Sequence, residues 1–352
     1  MSSNWLVARG IALIAAAVLT VPYVSATYAS DNYFSGGGTT NDWFDAANWD
    51  LGIPPQGEST KIYDGSTAEI SSGAAEYGDV DLSIGDSDSG QTATLLISGG
   101  SLNGTGTGND IRLGVSDDGS GALGQIIQTS GDVTAVDYVK MSNAGASDAA
   151  GSYYEISGGS LTVVNQIEMG RDGGMVQNMI MLKIIGTGPT SVTTDDLKTN
   201  RTAPGYAQPT LAFALDSTVT GVTPLQIADE FQIGNSETAT AGEGDMYLEL
   251  SLLGPPTVDD KILVEAGRIS MDEQFIGLPD GSDVSALYGG NTYTWTINYY
   301  DGESDPDRPG SLPSTAAVVL SNMRVSQGVV PEPASLVLIG LGAMLLVSLR
   351  RR

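Results

Sequence analysis

Arg112, Lys140 and Glu168 recur at a fixed interval of 28 residues (112 to 140, 140 to 168), and Asp110 stands two places before Arg112. Carboxylates with Lys and Arg are the groups that polysaccharide lyases and glycosidases work with. If these positions stack on successive strands about 4.8 Å apart, the side chains meet. The plainer reading of the same residues is a charge-paired surface column with Lys140 between Glu168 and Arg112. Such pairs are worth about 0–1 kcal/mol each, and a likeness of fold does not make a site. The pairs Asp259-Asp260 and Asp272-Glu273 read as solvated acids. A second chemistry is calcium binding. Asp86 and Asp88, Asp117 and Asp118, and the run Asp301 to Asp307 place oxygen ligands in glycine-bearing turns, the type of ligand that calcium needs in number. None matches an EF-hand or a glycine-aspartate nonapeptide, so solvated turns are the competing reading. The chain has neither histidine nor cysteine. That removes Ser-His and Cys-His nucleophile systems, and zinc and haem sites with them.

The elements that position these residues are repeats. Ile70, Ile97, Gln128, Ile156 and Ile184 head successive copies of one motif, full in Ile97-Ser98-Gly99-Gly100-Ser101-Leu102 and in Ile156-Ser157-Gly158-Gly159-Ser160-Leu161, worn near Ile184. A second strand keeps the same beat. Its apolar columns are Leu82, Ile111, Val139, Ile167 and Ile84, Leu113, Met141, Met169, and its outward column is Ser83, Arg112, Lys140, Glu168. Apolar–polar alternation marks half-buried strands, and a period near 28 residues marks an array whose units cover one another. The fold predicted is all-β: a parallel β-solenoid (β-helix) over residues 66–200. A β-sandwich with two similar halves is the alternative. With 46 glycines, the composition suits short strands joined by tight turns.

A solenoid needs covered ends. Trp43-Phe44-Asp45-Ala46-Ala47-Asn48-Trp49 lies just before the first repeat and predicts an aromatic cap over residues 27–65; a platform for stacking sugar rings is the other reading. Tyr138, Tyr153 and Tyr154 are too few to predict a row of sugar-binding aromatics. After a Thr- and Pro-rich connection, residues 201–328 read as a C-terminal β-rich unit. Periodicity leaves open whether that unit continues the coils or folds as an antiparallel group.

Both ends of the chain carry addresses. Arg9, the apolar segment Ile11 to Val21 and the small residues Val24-Ser25-Ala26 read as a signal peptide over residues 1–26, cut after Ala26; an uncleaved anchor is the second reading. At the other end, Pro331-Glu332-Pro333 precedes an apolar run from Ala334 to Leu349 and the cluster Arg350-Arg351-Arg352. The run is slightly shorter than the roughly 20 residues of a comfortable transmembrane helix. The arginines are placed to snorkel and hold that end on the cytoplasmic side.

This tail, residues 329–352, resembles a PEP-CTERM sorting signal. The resemblance implies that an exosortase, a membrane transpeptidase-like enzyme, cuts at Pro331-Glu332-Pro333 and transfers the protein outward. It also implies a transient inner-membrane anchor before the cut. The Ile-Ser-Gly-Gly-Ser-Leu steps are similar to those of secreted autotransporter-type and PEP-CTERM β-solenoid proteins of planctomycete-like bacteria. Trp43 to Pro55 is similar to the segment that opens such proteins. Phe275-Ile276-Gly277-Leu278-Pro279-Asp280-Gly281, with Tyr293 to Tyr300, is similar to their ending. The chain departs from the pattern at Gln128 and near Ile184. The resemblance implies architecture and destination, not a reaction, so it assigns no catalytic residue. The formal net charge of −27, from 42 acidic and 15 basic residues, argues against nucleic acid and anionic lipid as partners. The expectation is an exported surface or extracellular-matrix (biofilm) protein with a structural or adhesive role. Signal peptidase and exosortase are its processing partners and exopolysaccharide a candidate partner. No cofactor is expected beyond the calcium considered above. A carbohydrate-binding module or a carbohydrate-active β-helix enzyme is the alternative.

Overall fold

The computed structural model describes residues 31–327, apart from 55–58, 64, 79, 86–90, 116–122, 142–150, 171–178, 187–189, 200–207, 217–224, 235–245, 258–259, 270–273 and 302–314. Short strands β1 (Asn32–Phe34) and β2 (Thr60–Ile62) come first among the described residues. The first coils hold three strands each: β3 (Thr67–Ile70), β4 (Ala74–Glu76) and β5 (Leu82–Ile84), then β6 (Ala93–Ile97), β7 (Ser101–Asn103) and β8 (Ile111–Leu113), then β9 (Leu123–Gln128), β10 (Asp132–Ala135) and β11 (Tyr138–Met141). From β12 (Gly151–Ile156) onward the second and third strands fuse into one long strand, β13 (Ser160–Met169). The same pattern pairs β14 (Ile180–Ile185) with β15 (Ser191–Thr199), β16 (Thr210–Leu215) with β17 (Leu225–Gln232), and β18 (Tyr247–Leu252) with β19 (Lys261–Ile269). Strands β20 (Asp283–Tyr288), β21 (Asn291–Tyr300) and β22 (Ala316–Gln327) close the fold.

The architecture is a parallel β-solenoid. The first strands of the coils, β3-β6-β9-β12-β14-β16-β18, stack into a seven-stranded sheet, and all other strands belong to a second sheet of fifteen. Registers follow the repeat residue by residue. Ile70 pairs with Ile97, Ile97 with Gln128, Gln128 with Ile156, and Ile156 with Ile184. On the other sheet Leu82, Ile111, Val139 and Ile167 line up, as do Ile84, Leu113, Met141 and Met169. All of these apolar residues are buried. Alternation within each strand sends them inward, where only the neighbouring coils cover them.

The double glycine of the motif has a geometric cause. Gly100, Gly131 and Gly159 sit at the corner after the first strand with φ of +69°, +81° and +80°. A Cβ on Gly131 would lie 2.5 Å from the carbonyl oxygen of Gly100, and one on Gly159 would lie 1.8 Å from that of Gly131. Left-handed backbone and close coil stacking both require glycine there.

Gln128, the polar departure inside the apolar column, is fully buried. Its Nε2 donates to the carbonyls of Gly131 (2.8 Å) and Ser160 (2.9 Å), and its Oε1 accepts from the Tyr154 hydroxyl at 2.8 Å. Every polar atom of that side chain is therefore matched. Tyr154 is wholly enclosed, and burial raises its pKa.

Both ends are covered. Phe34, Trp43 and Trp49 are buried and pack edge to face, with ring centroids 5.0 Å (Phe34–Trp49) and 4.8 Å (Trp43–Trp49) apart. Trp49 Nε1 donates to the Trp43 carbonyl at 2.8 Å. The same segment blunts the free edge of β3, because Trp43 N–H donates to the Glu69 carbonyl and Glu69 N–H to that of Asn41. The aromatic cluster is thus packed rather than displayed. Beyond residue 200 the parallel ladder runs on to β19 and then turns antiparallel through β22, β21 and β20. Phe275 is buried between Phe231 and Tyr299 at that end.

Candidate functional site

The predicted column Arg112–Lys140–Glu168 forms as a ladder. Lys61 is level with Ser83, Ser83 with Arg112, Arg112 with Lys140, Lys140 with Glu168, Glu168 with Lys198, and Lys198 with Gln232. A second row, with acids at Asp81, Asp110 and Asp196, runs beside it at the position two residues earlier. Asp81 and Asp110 flank Arg112, whose Nη2 lies 2.6 Å from Asp81 and 3.0 Å from Asp110. Lys140 Nζ lies 2.5 Å from the same Asp110 oxygen and 4.5 Å from the ring centre of Tyr138. Further along, Lys198 bridges Asp196 (3.0 Å) and Glu230 (3.3 Å), and Arg268 reaches Glu230 at 3.2 Å. The carboxylate at the centre of the predicted constellation is Asp110.

The charge pairing of the plainer reading forms, and the column is more covered than an open surface pair. The Asp110 side chain is 3% exposed and that of Lys140 14%, and Ser83 and Glu168 are buried. Asp81 and Asp110 lie against Arg112 and Lys140, and these groups cover one another. Burial pushes the Asp81 carboxyl above its ordinary range, against the Asp110 N–H and Arg112, which hold it down. Burial also opposes the charge on Lys198, but Asp196 and Glu230 outweigh it and its pKa is raised.

Two carboxylates around one guanidinium form a set with the right groups for acid–base work. Here both are occupied. Arg112 and Lys140 take Asp110 Oδ2, while Asp81 accepts the Asp110 N–H at 3.0 Å and pairs with Arg112. Asp110 Oδ1 is buried with no partner among the described residues.

The three tyrosines noted in the sequence are also engaged. Tyr138 carries Lys140, Tyr154 is enclosed, and Tyr153 donates to Glu155, which also meets Lys183 at 3.0 Å. Sequence reasoning missed Asp81 as a member of the ladder. Its only signal was its place two residues before Ser83 in the repeat, equivalent to Asp110.

Other expected site residues lie outside the described residues: Ala26, the calcium candidates Asp86, Asp88, Asp117 and Asp118, and the tail with Pro331, Glu332, Pro333, Arg350, Arg351 and Arg352. Among the described residues no group of three or more acidic, His or Cys side chains is placed to hold a metal ion. No helix among them is long and apolar enough to cross a membrane.

The chain matches no curated protein and no solved structure. Residues 329–352 match the PEP-CTERM protein-sorting motif. The chain thus joins a β-solenoid to a motif that exosortase recognises, which indicates export to the cell envelope or surface.

Proposed function

We propose that this chain is an exosortase-sorted surface protein whose solenoid has a structural or adhesive role in the extracellular matrix or envelope. The observation that carries the reading is the sorting motif at residues 329–352 joined to a capped parallel solenoid. In this reading the signal peptide over residues 1–26 starts export. The apolar run from Ala334 to Leu349 holds the protein transiently in the inner membrane, and cleavage near Pro331-Glu332-Pro333 releases the solenoid. The buried charge ladder supports a structural role, because its carboxylates are spent on Arg112 and Lys140. A carbohydrate-active enzyme is the second reading, favoured by the Asp81–Arg112–Asp110 grouping.

The test is made in the native host. Protease shaving of intact cells should release solenoid peptides from the parent strain. It should release far fewer when Pro331, Glu332 and Pro333 are all replaced by alanine. Equal release from both strains would sink the sorting reading. Matrix cohesion lost on gene deletion should return with an Arg112→Lys variant, which keeps a cation there. If that variant folds and reaches the surface but leaves cohesion unrestored, the enzymatic reading gains.

A further inference from the structure

Beside the N-terminal cap lies a cleft of about 410 Å³ lined by Tyr33, Phe34, Ser35, Asp50, Tyr63 and Ser66. The fold brings these residues together from distant points in the chain. Tyr33 is level with Lys61 in the β1–β2 ladder, so it begins the outward row that carries Arg112 and Lys140 further along. Asp50 is fixed next to it because its N–H donates to the Tyr33 carbonyl at 3.1 Å. Tyr63 follows Lys61 on the same outward side, and its ring meets that of Tyr33 edge to face, with centroids 5.4 Å apart. Phe34 is buried against Trp49, so the floor is tied to the cap.

The lining is amphipathic. Aromatic rings form one part, and a carboxylate with two serine hydroxyls forms the other. The carboxylate of Asp50 is exposed and makes no ion pair among the described residues. Charge narrows the ligand. Lys61 Nζ stands 5.7 Å from the Tyr33 ring centre and 3.1 Å from Asp31, so the ring face that would attract a cationic ligand already has a cation. Asp50, Asp31 and the net charge of −27 disfavour an anion. Rings beside hydrogen-bonding groups suit a neutral molecule with an apolar face and several hydroxyls. A sugar ring has that form: its C–H face packs on a tyrosine, and its hydroxyls bond to a carboxylate and to serines.

We propose that this cleft binds a neutral hexose unit of a polysaccharide. The proposal deepens the adhesive part of the surface reading by naming a ligand class and a place for it, and it rests on that reading for its biological setting.

The test is titration of the purified protein with neutral hexaoses of glucose, mannose and N-acetylglucosamine. Hexagalacturonate and spermine serve as charged comparisons. Heat of binding and tryptophan fluorescence are the readouts, since Trp49 touches the floor residue Phe34. At least one neutral hexaose should bind saturably, with an affinity unchanged between low and high salt. Tyr63→Ala and Asp50→Asn should each weaken it about tenfold, with thermal midpoints near that of the parent. The proposal is overturned if none of the neutral hexaoses binds, if only a charged probe binds, or if both variants bind as tightly as the parent. None of these failures touches the surface reading, which cell shaving tests separately.

Discussion

At the scale of single residues, Asp110 is the anion on which the ladder depends. Removing it would leave Lys140, 14% exposed, without its partner and Arg112 with Asp81 alone. Breaking a buried pair from one side costs about 3 kcal/mol or more. Lys140→Ala leaves Asp110 still paired with Arg112 and removes one charge-assisted bond, about 1.5 kcal/mol. Denaturant unfolding should therefore rank Asp110→Ala as clearly less stable than Lys140→Ala, and the reverse order would refute the hub. Glu155 gives a pH-dependent prediction. Burial alone would raise its pKa, but the Tyr153 hydroxyl and Lys183 outweigh burial and hold it below the ordinary value of 4.5. A folded pKa below the unfolded one adds stability that is present above the unfolded value and is lost as pH falls through the folded one. The thermal midpoints of the parent and Glu155→Gln should differ most above that value and converge below it. A gap that stays open on acidification would contradict the assignment. Periodicity identified Arg112, Lys140 and Glu168 as one ladder but could not give their burial. That depends on the row two positions back, whose members are not one residue type: Asp81, Asp110, Tyr138, Gln166, Asp196.

At the scale of strands and turns, the corner glycines set the pitch of the coil. Gly131→Ala would force a side chain into left-handed backbone and drive its Cβ to 2.5 Å from the Gly100 oxygen. Gly281 has a similar φ of +77° with nothing within 4 Å of the Cβ position. Ala at Gly281 should cost only the backbone strain, about 1–2 kcal/mol, and Ala at Gly131 distinctly more. Equal costs in chemical denaturation would mean that coil stacking does not constrain the corner. Most of this layer was legible in the sequence. The columns headed by Ile70, Leu82 and Ile84 were read in their observed register, because a strand alternates strictly and the repeat length holds near 28 residues. Two features were not legible. Gln128 broke the apolar column, and two of its three buried partners, the Tyr154 hydroxyl and the Ser160 carbonyl, belong to the next turn of the chain. Past residue 200 the beat fades, because longer connections separate the coils and β-bulges interrupt the registers of β15, β17 and β19. The continued stacking appears only in space.

At the scale of the whole molecule, the chain joins an all-β solenoid, closed by aromatic residues at one end and antiparallel strands at the other, to a sorting motif at residues 329–352. The two parts were legible to different degrees. The motif is a local string of residue types and needs no fold to be recognised. The cleft at Tyr33, Tyr63 and Asp50 could not be read from the sequence, because it exists only once β1 pairs with β2 and the Asn48–Asp50 segment returns beside β1. Sorting is the claim on which the proposed function stands; in that reading removal of the signal peptide after Ala26 sets the N-terminus of the mature protein and the cut near Pro331 sets its C-terminus. Intact-mass spectrometry of the protein recovered from the envelope of its native host tests it most directly. The recovered chain should begin at Thr27 and end close to Pro331, and intact molecules that still end in Arg352 would overturn the sorting reading.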